Sequence, residues 1–302
     1  MRIVGSPRYR IDIGPHVFPT AKYEELYRQL TAEGAWEWID PQPAAWEELA
    51  LVHTQEYLAK AKDGGFSAEE IRELELPWSR EVVEGFRLMT GGTIAAARLA
   101  MTDAIGVHVG GGFHHAFANH GEGFCLFNDV AVAIRVLQRE RRAARVAIVD
   151  LDVHHGNGTS MIFDGDASVF TFSMHQQHNY PMFKPRSRLD IGLDDRTAGA
   201  EYNEKLRRAL PTVFASRPDV VFYLAGADPF EHDQLGGLAM TKADLLDRDR
   251  IVFDECMNAS LPVVVTLAGG YARRLEDTVA IHRATIEAAR AALTEGSGRR
   301  PS

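Results

Sequence analysis

Hydrophobic and polar positions follow two alternating patterns along this chain. Short continuous apolar runs are typical of strands buried on both faces of a sheet, whereas apolar residues recurring every three or four positions are typical of amphipathic helices. The runs predict strands at 2–5, 106–109, 146–151, 169–173, 220–225 and 263–267. The helical pattern predicts helices at 20–34, 41–62 (with one interruption), 79–101, 128–142, 199–216, 241–259 and 275–294. From residue 106 onwards strand and helix alternate, which predicts an α/β fold: a parallel β-sheet with helices on both faces.

Local signals mark several of the boundaries. Asn128 and Thr241 stand at the start of two predicted helices, and their side chains are of types that cap helix N-termini. Residues 63–77 have the most loop-like composition inside the chain, and the polar tail EGSGRRPS at 295–302 is expected to be disordered. Neither a repeat nor a linker divides the rest, so the sequence predicts a single domain over residues 1–294.

The segment VAIVDLDVHHGNG, residues 146–158, follows a buried apolar run with polar residues. Asp150, Asp152 and His154 alternate with apolar residues, and a period of two places such side chains on one face of a strand. In open α/β sheets, ligands bind just beyond the carboxyl ends of the strands. Two carboxylates and an imidazole at that point predict a metal site or an acid/base site. A loop that merely caps the following helix would account for one aspartate, but not for all three groups.

Three further predicted strands are followed by groups that can carry chemistry. These groups are His114 and His115 in GGGFHHAFANHGEGF, Asp228 at the end of AGAD, and Tyr271 at the end of AGGY. Each signal is weak by itself, because a lone histidine or tyrosine is more often a packing residue. Parallel strands end at one edge of the sheet, so the four strand ends together place these groups where a metal hydrolase needs them.

Asp152, His154 and Asp228 form a credible set of metal ligands. Catalytic zinc takes three protein ligands and keeps one position open for water. The mixed nitrogen and oxygen set also suits Fe²⁺ or Mn²⁺. Neutral imidazoles at His114 and His115 can move the proton of an activated water to the leaving amine, and the hydroxyl of Tyr271 can donate to a developing oxyanion.

Composition narrows the class of protein. Of the 302 residues, 45% are hydrophobic and 25% are charged, which is typical of a soluble globular protein. The net charge of −9 argues against a nucleic-acid partner and is compatible with a cationic substrate such as a lysine-bearing chain. Cys125 and Cys256 form no CxxC pattern, and we find neither a signal peptide nor an apolar run long enough to span a membrane. We therefore expect a cytoplasmic protein without a membrane partner.

Six segments together resemble the histone deacetylase family and its bacterial deacetylase-like relatives, which share the arginase-type α/β fold. They are VGGGFHHA, GEGFCLFND, DLDVHHGNGT, FSMH, AGAD and LAGGY. The resemblance runs from SPRY at 6–9 to GGY at 269–271, and SPRY, TGGT at 90–93 and DQLGGL at 233–238 are most similar to class IV. It implies a zinc-dependent hydrolase that removes an acyl group from an acyl-lysine side chain.

The resemblance also assigns roles to individual residues. The zinc ligands fall on Asp152, His154 and Asp228, and the tandem catalytic histidines on His114 and His115. Asp150 matches the carboxylate that orients the first histidine, Asn157 the partner of the second, and Tyr271 the transition-state tyrosine. The positions that line the narrow acyl-lysine tunnel are Gly123, Phe124, Tyr180, Leu235 and Gly270. A structural K⁺ is implied at the backbone carbonyls of Asp150, Asp152 and His154, with Ser173.

Two departures from the family pattern bear on chemistry and substrate. Some classes have an aspartate where this chain has Asn157, so His115 is expected to lack an anionic partner and to be less basic. The segment HQQHNYP at 175–181 differs from the aromatic tunnel wall of the best-known classes, which makes longer acyl groups candidates beside acetyl.

Three other readings compete with the acyl-lysine hydrolase. An acylated polyamine or another small N-acyl amine remains an open alternative as substrate. An arginase-like ureohydrolase is disfavoured, because the DLDVHHGNG segment lacks the second DxHxD-type set that two Mn²⁺ ions require. A non-catalytic acyl-lysine binding module is disfavoured too, because such a module is expected to have lost a ligand, a histidine or the tyrosine.

Overall fold

A six-stranded parallel β-sheet lies at the centre of the computed structural model, which describes residues 1–297. The strands of this part of the chain are β1 (Arg2–Val4), β2 (Glu37–Ile39), β3 (Ile105–Val107), β4 (Val146–Asp150), β5 (Val169–Gln176), β6 (Leu189–Leu193), β7 (Val220–Leu224) and β8 (Val263–Thr266). The central sheet has the order β3-β8-β7-β4-β5-β6. Strands β1 and β2 form a parallel pair that a bridge between Val4 and His108 joins to the end of β3.

The inner strands are apolar because both faces of the sheet are covered. In β4, Val146 and Ile148 belong to the core on one face, whereas Ala147 and Val149 belong to the core on the other. Every residue of β4, β7 and β8 is buried. The predicted parallel sheet between two helical layers is therefore confirmed.

Helices cover the sheet on both faces. In the described residues they are α1 (Ala21–Glu33), α2 (Trp46–Leu49), α3 (Gln55–Asp63), α4 (Ala68–Leu74), α5 (Arg80–Asp103), α6 (Asp129–Arg139), α7 (Asn157–Ile162), α8 (Gly199–Phe214), α9 (Lys242–Asn258) and α10 (Leu275–Ser297). Helices α5 and α6 contribute to one core, α8, α9 and α10 to the other, and α1 contributes to both.

The two predicted N-caps are confirmed. The side chain of Asn128 accepts a hydrogen bond from the backbone of Ala131 at 3.0 Å, at the start of α6. The hydroxyl of Thr241 accepts from the backbone of Asp244 at 3.2 Å, and the Asp244 carboxylate accepts in return from the backbone of Thr241 at 2.9 Å. Reciprocal bonds of this kind satisfy backbone donors that the first helical turn leaves free.

Several boundaries differ from the prediction. Residues 63–77 are not all loop, because the reciprocal bonds between Ser67 and Glu70 start helix α4. Strand β6 was not predicted, since its residues alternate between exposed and partly buried at the edge of the sheet. Helix α10 continues to Ser297, past the predicted domain end at 294, and the rest of the predicted tail lies outside the described residues.

Candidate metal centre and active site

The four strand ends that carry polar groups are neighbours in the sheet. Strands β3, β8, β7 and β4 stand side by side in that order, and all run parallel. Their carboxyl ends therefore meet along one stretch of the sheet edge. A crevice at the carboxyl ends of parallel strands is the usual place for a ligand in an α/β protein.

The loop after β4 brings three polar side chains together, but not through strand alternation. The strand ends at Asp150, one residue before the predicted boundary, so Asp152 and His154 lie in the following loop. The Asp150 carboxylate accepts from the backbone of Asp152 at 3.2 Å, and the Asp152 carboxylate accepts from the backbone of His154 at 2.9 Å. Such side-chain bonds to the backbone two residues ahead turn the chain. The predicted convergence is correct, whereas the predicted cause is wrong.

Asp152, His154 and Asp228 form a buried group whose ligand atoms lie within 4.8 Å of one another. Nδ1 of His154 is 3.0 Å from Oδ1 of Asp152 and 3.4 Å from Oδ2 of Asp228. Oδ2 of Asp228 is buried and has no hydrogen-bond partner. An anionic oxygen is not left buried and unsatisfied without cost, so this geometry fits a divalent cation held by all three side chains.

Two other groups of acidic and histidine side chains fit a cation less well. In His155–His175–Asp190, one oxygen of Asp190 lies 3.2 Å from His155 Nε2 and the other accepts from the backbone of Ser187 at 2.8 Å. In the second group, Glu73–His120–Glu122, all three side chains are partly solvent-exposed. Neither group contains a buried carboxylate oxygen without a partner, as Asp228 does.

Without a cation, bound protons offset the negative charge of the group formed by Asp152, His154 and Asp228. Burial alone would lower the pKa of His154, but its interactions with the carboxylates of Asp152 and Asp228 outweigh it and raise the pKa to about 10. Burial raises the pKa of Asp228 to about 7, with a contribution from the charge of Asp152. A metal ligand must be deprotonated, so cation binding displaces these protons.

The two adjacent histidines lie beside the metal group with different partners. Nδ1 of His114 is 2.7 Å from Oδ2 of Asp150, and Nδ1 of His115 is 2.7 Å from Oδ1 of Asn157. Their Nε2 atoms face each other at 3.2 Å. The sequence prediction that Asp150 and Asn157 pair with the first and second histidine is thus matched by the geometry.

The pKa values of the two histidines are shifted in opposite directions. Burial would lower the pKa of His114, but the carboxylates of Asp150 and Asp152 outweigh it and raise the pKa to about 9. Burial, together with the nearby His114 and His154, holds the pKa of His115 well below its ordinary value. A bound divalent cation would lower the pKa values of both histidines, because it repels the imidazolium charge. The pair contains one group suited to donate a proton and one suited to accept it.

The Gly-Gly-Tyr turn after β8 closes the site on its third side. The backbone of Gly269 donates to Oδ2 of Asp152 at 2.8 Å, and a Cβ at this glycine would lie only 1.9 Å from Oδ2 of Asp228. Only glycine can therefore bring the backbone this close to the ligands. The Tyr271 ring centre is 6.4 Å from that of His154. Burial raises the pKa of Tyr271, so its hydroxyl stays protonated and can donate a hydrogen bond.

The proposed tunnel residues separate into two groups. Gly123 and Phe124 line a cavity together with both histidines and Tyr271. Among the described residues, Tyr180, Leu235 and Gly270 lie outside the lining of that cavity. The Tyr180 ring nevertheless stands 5.0 Å from the His115 ring, edge to face. The backbone carbonyl of Leu235 accepts a hydrogen bond at 2.7 Å from the side-chain amide of Asn179, the residue before Tyr180.

Ser173 lies opposite Asp150 in the β4–β5 register, as a shared cation site requires. Its hydroxyl is 3.0 Å from Nδ1 of His175. This hydrogen bond satisfies the hydroxyl within the protein, so the structural K⁺ remains a prediction.

Sequence reasoning missed a buried lysine beside the site. Lys22 is fully buried, donates to the carbonyl of Ala268 at 2.9 Å and lies 5.7 Å from the Tyr271 ring centre. Burial lowers the pKa of Lys22 to about 8, although nearby carboxylates oppose the shift. The available signal was its place on the buried stripe of α1, four residues before Leu26.

Sequence reasoning also missed Glu122, whose carboxylate contacts two of the predicted site residues. It accepts from the side-chain amide of Asn157 at 2.8 Å and from the hydroxyl of Tyr180 at 2.6 Å. The direct partner of His115 is the neutral Asn157, as expected, but Asn157 is in turn hydrogen-bonded to this carboxylate. The only signal in the sequence was a charged residue between the glycines of GEGF.

Comparison with known proteins identifies the family. The family model for the histone deacetylase domain matches residues 16–286. The chain is 31% identical to histone deacetylase 2 of Arabidopsis thaliana, over 87% of this chain and 73% of that protein. It is 32% identical to the acetoin utilization protein AcuC of Bacillus subtilis, over 72% of this chain and 62% of that protein. The chain belongs to the histone deacetylase family, and this membership supports a hydrolytic deacetylase.

Two further similarities agree with this assignment. An uncharacterized protein of Picosynechococcus sp. is 40% identical, over 91% of this chain and 93% of its own length. The crystal structure of the HDA15 HD domain has a TM-score of 0.78 at 24% identity, covering 98% of this chain and 93% of that one. The structural similarity shows a shared fold. In the described part of the chain, no helix is long and apolar enough to cross a membrane.

Proposed function

We propose that this protein is a zinc-dependent deacylase that hydrolyses the amide bond between an acyl group and a lysine side chain. The observation that carries the proposal is the buried Oδ2 of Asp228, which has no hydrogen-bond partner, beside Asp152 and His154 and next to two histidines with opposed pKa shifts. Two carboxylates balance the charge of a divalent cation, so the site suits a neutral amide carbonyl and a water molecule. Fe²⁺ and Mn²⁺ suit the same ligands and are included in the test.

The two histidines divide the proton transfers between them. When bound, Zn²⁺ polarises the acyl carbonyl and makes a water molecule more acidic. His115 is the base, because its lowered pKa keeps it neutral near pH 7 and able to accept the proton of the attacking water. His114 is the acid, because Asp150 stabilises its imidazolium, which can protonate the leaving lysine amine.

Tyr271 stabilises the negative charge that develops on the acyl oxygen. Its hydroxyl stays protonated near neutral pH, because burial raises its pKa. A donor placed for the oxyanion contributes more in the transition state than to the substrate carbonyl, so it lowers the barrier.

The acyl chain enters past Gly123 and Phe124, with Tyr180 above His115. The similarity to class IV motifs and the departure at 175–181 support acyl chains longer than acetyl as substrates. A structural K⁺ at the loop after β4 and a cytoplasmic location belong to the same proposal.

An acylated polyamine is the second candidate substrate. Glu73 in helix α4 and Glu122 in the loop before Gly123 both lie within 3.8 Å of His120, and Glu73 is half exposed. Such carboxylates favour a substrate that carries positive charge beyond the acylated nitrogen.

The test is an activity screen of the full chain loaded separately with Zn²⁺, Fe²⁺ or Mn²⁺. The substrates are lysine peptides with acyl chains of graded length and N-acetylated polyamines, and the released amine is measured. We expect metal-dependent turnover of at least one acyl-lysine peptide, with a higher kcat/KM than for any acylated polyamine. Turnover restricted to polyamines would overturn the lysine assignment, and no turnover with any metal would overturn the deacylase proposal.

A further inference from the structure

Glu122 lies in a tight backbone turn. Its side chain is held between Asn157, the partner of His115, and the proposed tunnel residue Tyr180. The backbone groups of Glu122 and Cys125 exchange two hydrogen bonds, at 3.2 and 2.9 Å. The side chain of Glu122 is 16% exposed. One oxygen, Oε1, accepts from both Asn157 and Tyr180. The carboxylate therefore has fixed partners and is not a freely rotating surface charge.

The chemistry of these partners fixes the orientation of the Asn157 amide. An ionised carboxylate only accepts hydrogen bonds, so the group that Asn157 turns towards Glu122 must be its NH₂. The amide oxygen of Asn157 then necessarily points at Nδ1 of His115, 2.7 Å away. An amide oxygen also only accepts, so Nδ1 of His115 must carry the proton. Nε2 of His115, which lies 3.2 Å from Nε2 of His114, then carries no proton and can accept one.

Without the carboxylate, the Asn157 side chain keeps only its contact with His115, which does not fix the orientation of the amide. A side-chain amide can rotate by half a turn and present either its oxygen or its NH₂ to a neighbour. If the NH₂ of Asn157 faced His115, the proton of the neutral imidazole would move to Nε2. A histidine in that tautomer cannot accept a proton from water at Nε2.

The Glu122 carboxylate also holds Tyr180, one of the residues proposed to line the acyl-lysine tunnel. The hydroxyl of Tyr180 donates to Glu122 at 2.6 Å, while its ring stands edge to face on His115 with centres 5.0 Å apart. His115 is thus held at Nδ1 by the Asn157 amide and at its ring by Tyr180. Both Asn157 and Tyr180 are in turn hydrogen-bonded to Glu122.

We propose that Glu122 is a positioning residue: it orients the Asn157 amide so that His115 carries its proton on Nδ1 and presents a free Nε2, and it holds Tyr180 against the same ring. Glu122 acts through other residues and does not touch the reacting atoms. The kinetic part of this inference rests on the proposed deacylase function, whereas the tautomer of His115 does not.

The isosteric variants of Glu122 separate hydrogen bonding from charge and from packing. In Glu122→Gln, a carbonyl oxygen at the place of Oε1 can accept from both Asn157 and Tyr180 while the NH₂ points away. The side-chain amide of this variant can equally turn its NH₂ towards Asn157 and so selects neither orientation, and we expect both His115 tautomers to be populated, with a smaller loss of kcat than in Glu122→Leu. Glu122→Leu has a similar volume but no acceptor. We expect it to populate the Nε2–H tautomer and to lower kcat about 10–100-fold, the usual effect of losing a residue that orients a catalytic group.

The tautomer is measured directly by ¹⁵N chemical shifts of the imidazole nitrogens in the histidine-labelled full chain, with and without Zn²⁺. Signals of His115 are assigned by comparison with His115→Gln. Two matched controls, Glu73→Gln at a neighbouring carboxylate and Tyr180→Phe at the second donor, are expected to leave the tautomer unchanged. If Glu122→Leu fails to fold by circular dichroism, Glu122→Ala removes the same acceptor with less steric demand.

The outcomes are distinct. A His115 that keeps its proton on Nδ1 in folded Glu122→Leu or Glu122→Ala overturns the proposal, whatever the activity. A displaced tautomer in these variants, with partial displacement in Glu122→Gln, supports it even in a chain that turns over none of the substrates, because the shifts need no reaction. Where the wild type is active, we expect the loss to lie in kcat rather than KM.

Discussion

At the scale of single residues, the site works by giving chemically similar groups different partners. His114 faces the carboxylate of Asp150, whereas His115 faces the amide of Asn157. The Asp150 carboxylate helps to stabilise the His114 imidazolium, whereas burial and the neighbouring His114 and His154 keep His115 neutral, which separates the proposed acid from the proposed base. The proposed mechanism depends on this difference more than on the presence of two histidines.

Tyr271→Phe tests the oxyanion role at this scale. The variant keeps the ring against His154 and removes only the hydroxyl, so metal content and KM are expected to stay near wild type. Loss of one donor to an oxyanion typically costs about 10²–10³ in rate, and we expect kcat to fall by that amount. Steady-state kinetics and metal analysis of both proteins check the prediction. A rise in KM with unchanged kcat would show that the hydroxyl binds substrate and transition state equally.

Asn157→Asp tests whether His115 is the base, and Glu122 determines how the test is designed. An ionised carboxylate at 157 would raise the pKa of His115, so the acid limb of the kcat/KM profile would move to higher pH. In the wild-type background the new carboxylate would meet Glu122, and the pair would share a proton instead of carrying two charges.

We therefore expect the full shift only in Asn157→Asp/Glu122→Gln, compared with Glu122→Gln alone. In this double variant, activity near pH 6 should fall more than activity near pH 8. The profile is measured for four proteins with one substrate. An acid limb that stays in place in the folded, metal-loaded double variant would mean that His115 is not the base.

At the scale of elements, one buried arginine of α9 supports the two loops that carry the proposed metal ligands. The Arg248 guanidinium donates to the carbonyl of Gly226 at 2.6 Å and to that of Leu151 at 3.4 Å. These carbonyls belong to the loops that carry Asp228 and Asp152. Arg248 also pairs with the buried carboxylate of Asp249 at 2.8 Å. Helix α9 therefore fixes both loops relative to each other.

Arg248→Met is expected to weaken both the fold and the metal site. Removing one partner of a buried ion pair costs about 3–5 kcal/mol in the free energy of unfolding, because the other charge stays buried. Zinc affinity should fall about 10–100-fold, as is usual when a group that orients metal ligands is lost. Urea unfolding and zinc titration against a competing chelator measure the two effects.

Arg250→Met on the same helix is the matched control, because its pair with Asp247 is exposed and contributes little. We expect it to leave both quantities near wild type. A folded Arg248→Met protein with wild-type zinc affinity would contradict the link between α9 and the two loops that carry the proposed metal ligands.

The sequence predicted elements where local pattern and tertiary environment agree. Strands β4 and β8 are continuous apolar runs because both of their faces are buried, and the N-caps of α6 and α9 depend on local hydrogen bonds. Helix α4 was missed because most of its residues are charged, and strand β6 because Asp190 and Gly192 interrupt its apolar residues. Motif resemblance placed the ligands and histidines, whereas Glu122 and Lys22 were missed because their partners are 35 residues or more away in the sequence.

At the scale of the whole molecule, the sheet order explains why distant segments form one site. The proposed ligands come from the loops after β4 and β7, which are neighbours in the sheet although their sequence positions lie 74 residues apart, from His154 to Asp228. A cation bound by ligands from both loops would connect the chain segment that follows β4 to the one that follows β7. Because the ligands converge only in the folded chain, cation binding must stabilise the native state as a whole.

The pH dependence of this stabilisation follows from His154. In the cation-free protein its pKa is about 10, so between pH 6 and 8 zinc must displace one proton from His154. The apparent affinity should then rise about tenfold per pH unit, which at fixed free zinc adds about 1.4 kcal/mol of stabilisation per unit. Below pH 7, Asp228 adds a second displaced proton and a steeper dependence, because its pKa is about 7.

In the cation-free protein, the contribution of His154 to the stability of the fold is expected to fall as the pH rises, whereas the stabilisation by zinc is expected to grow. Its paired His154 imidazolium stabilises the fold fully below the ordinary pKa of 6.5, and this contribution is lost as the pH rises towards 10. The difference in Tm between zinc-loaded and chelator-treated protein should therefore widen from pH 6 to pH 8 at buffered free zinc. In Asp228→Ala the difference should vanish at every pH, since one of three ligands is gone. A wild-type difference that stays constant over this range would mean that zinc displaces no proton, and His154 would then not be a ligand.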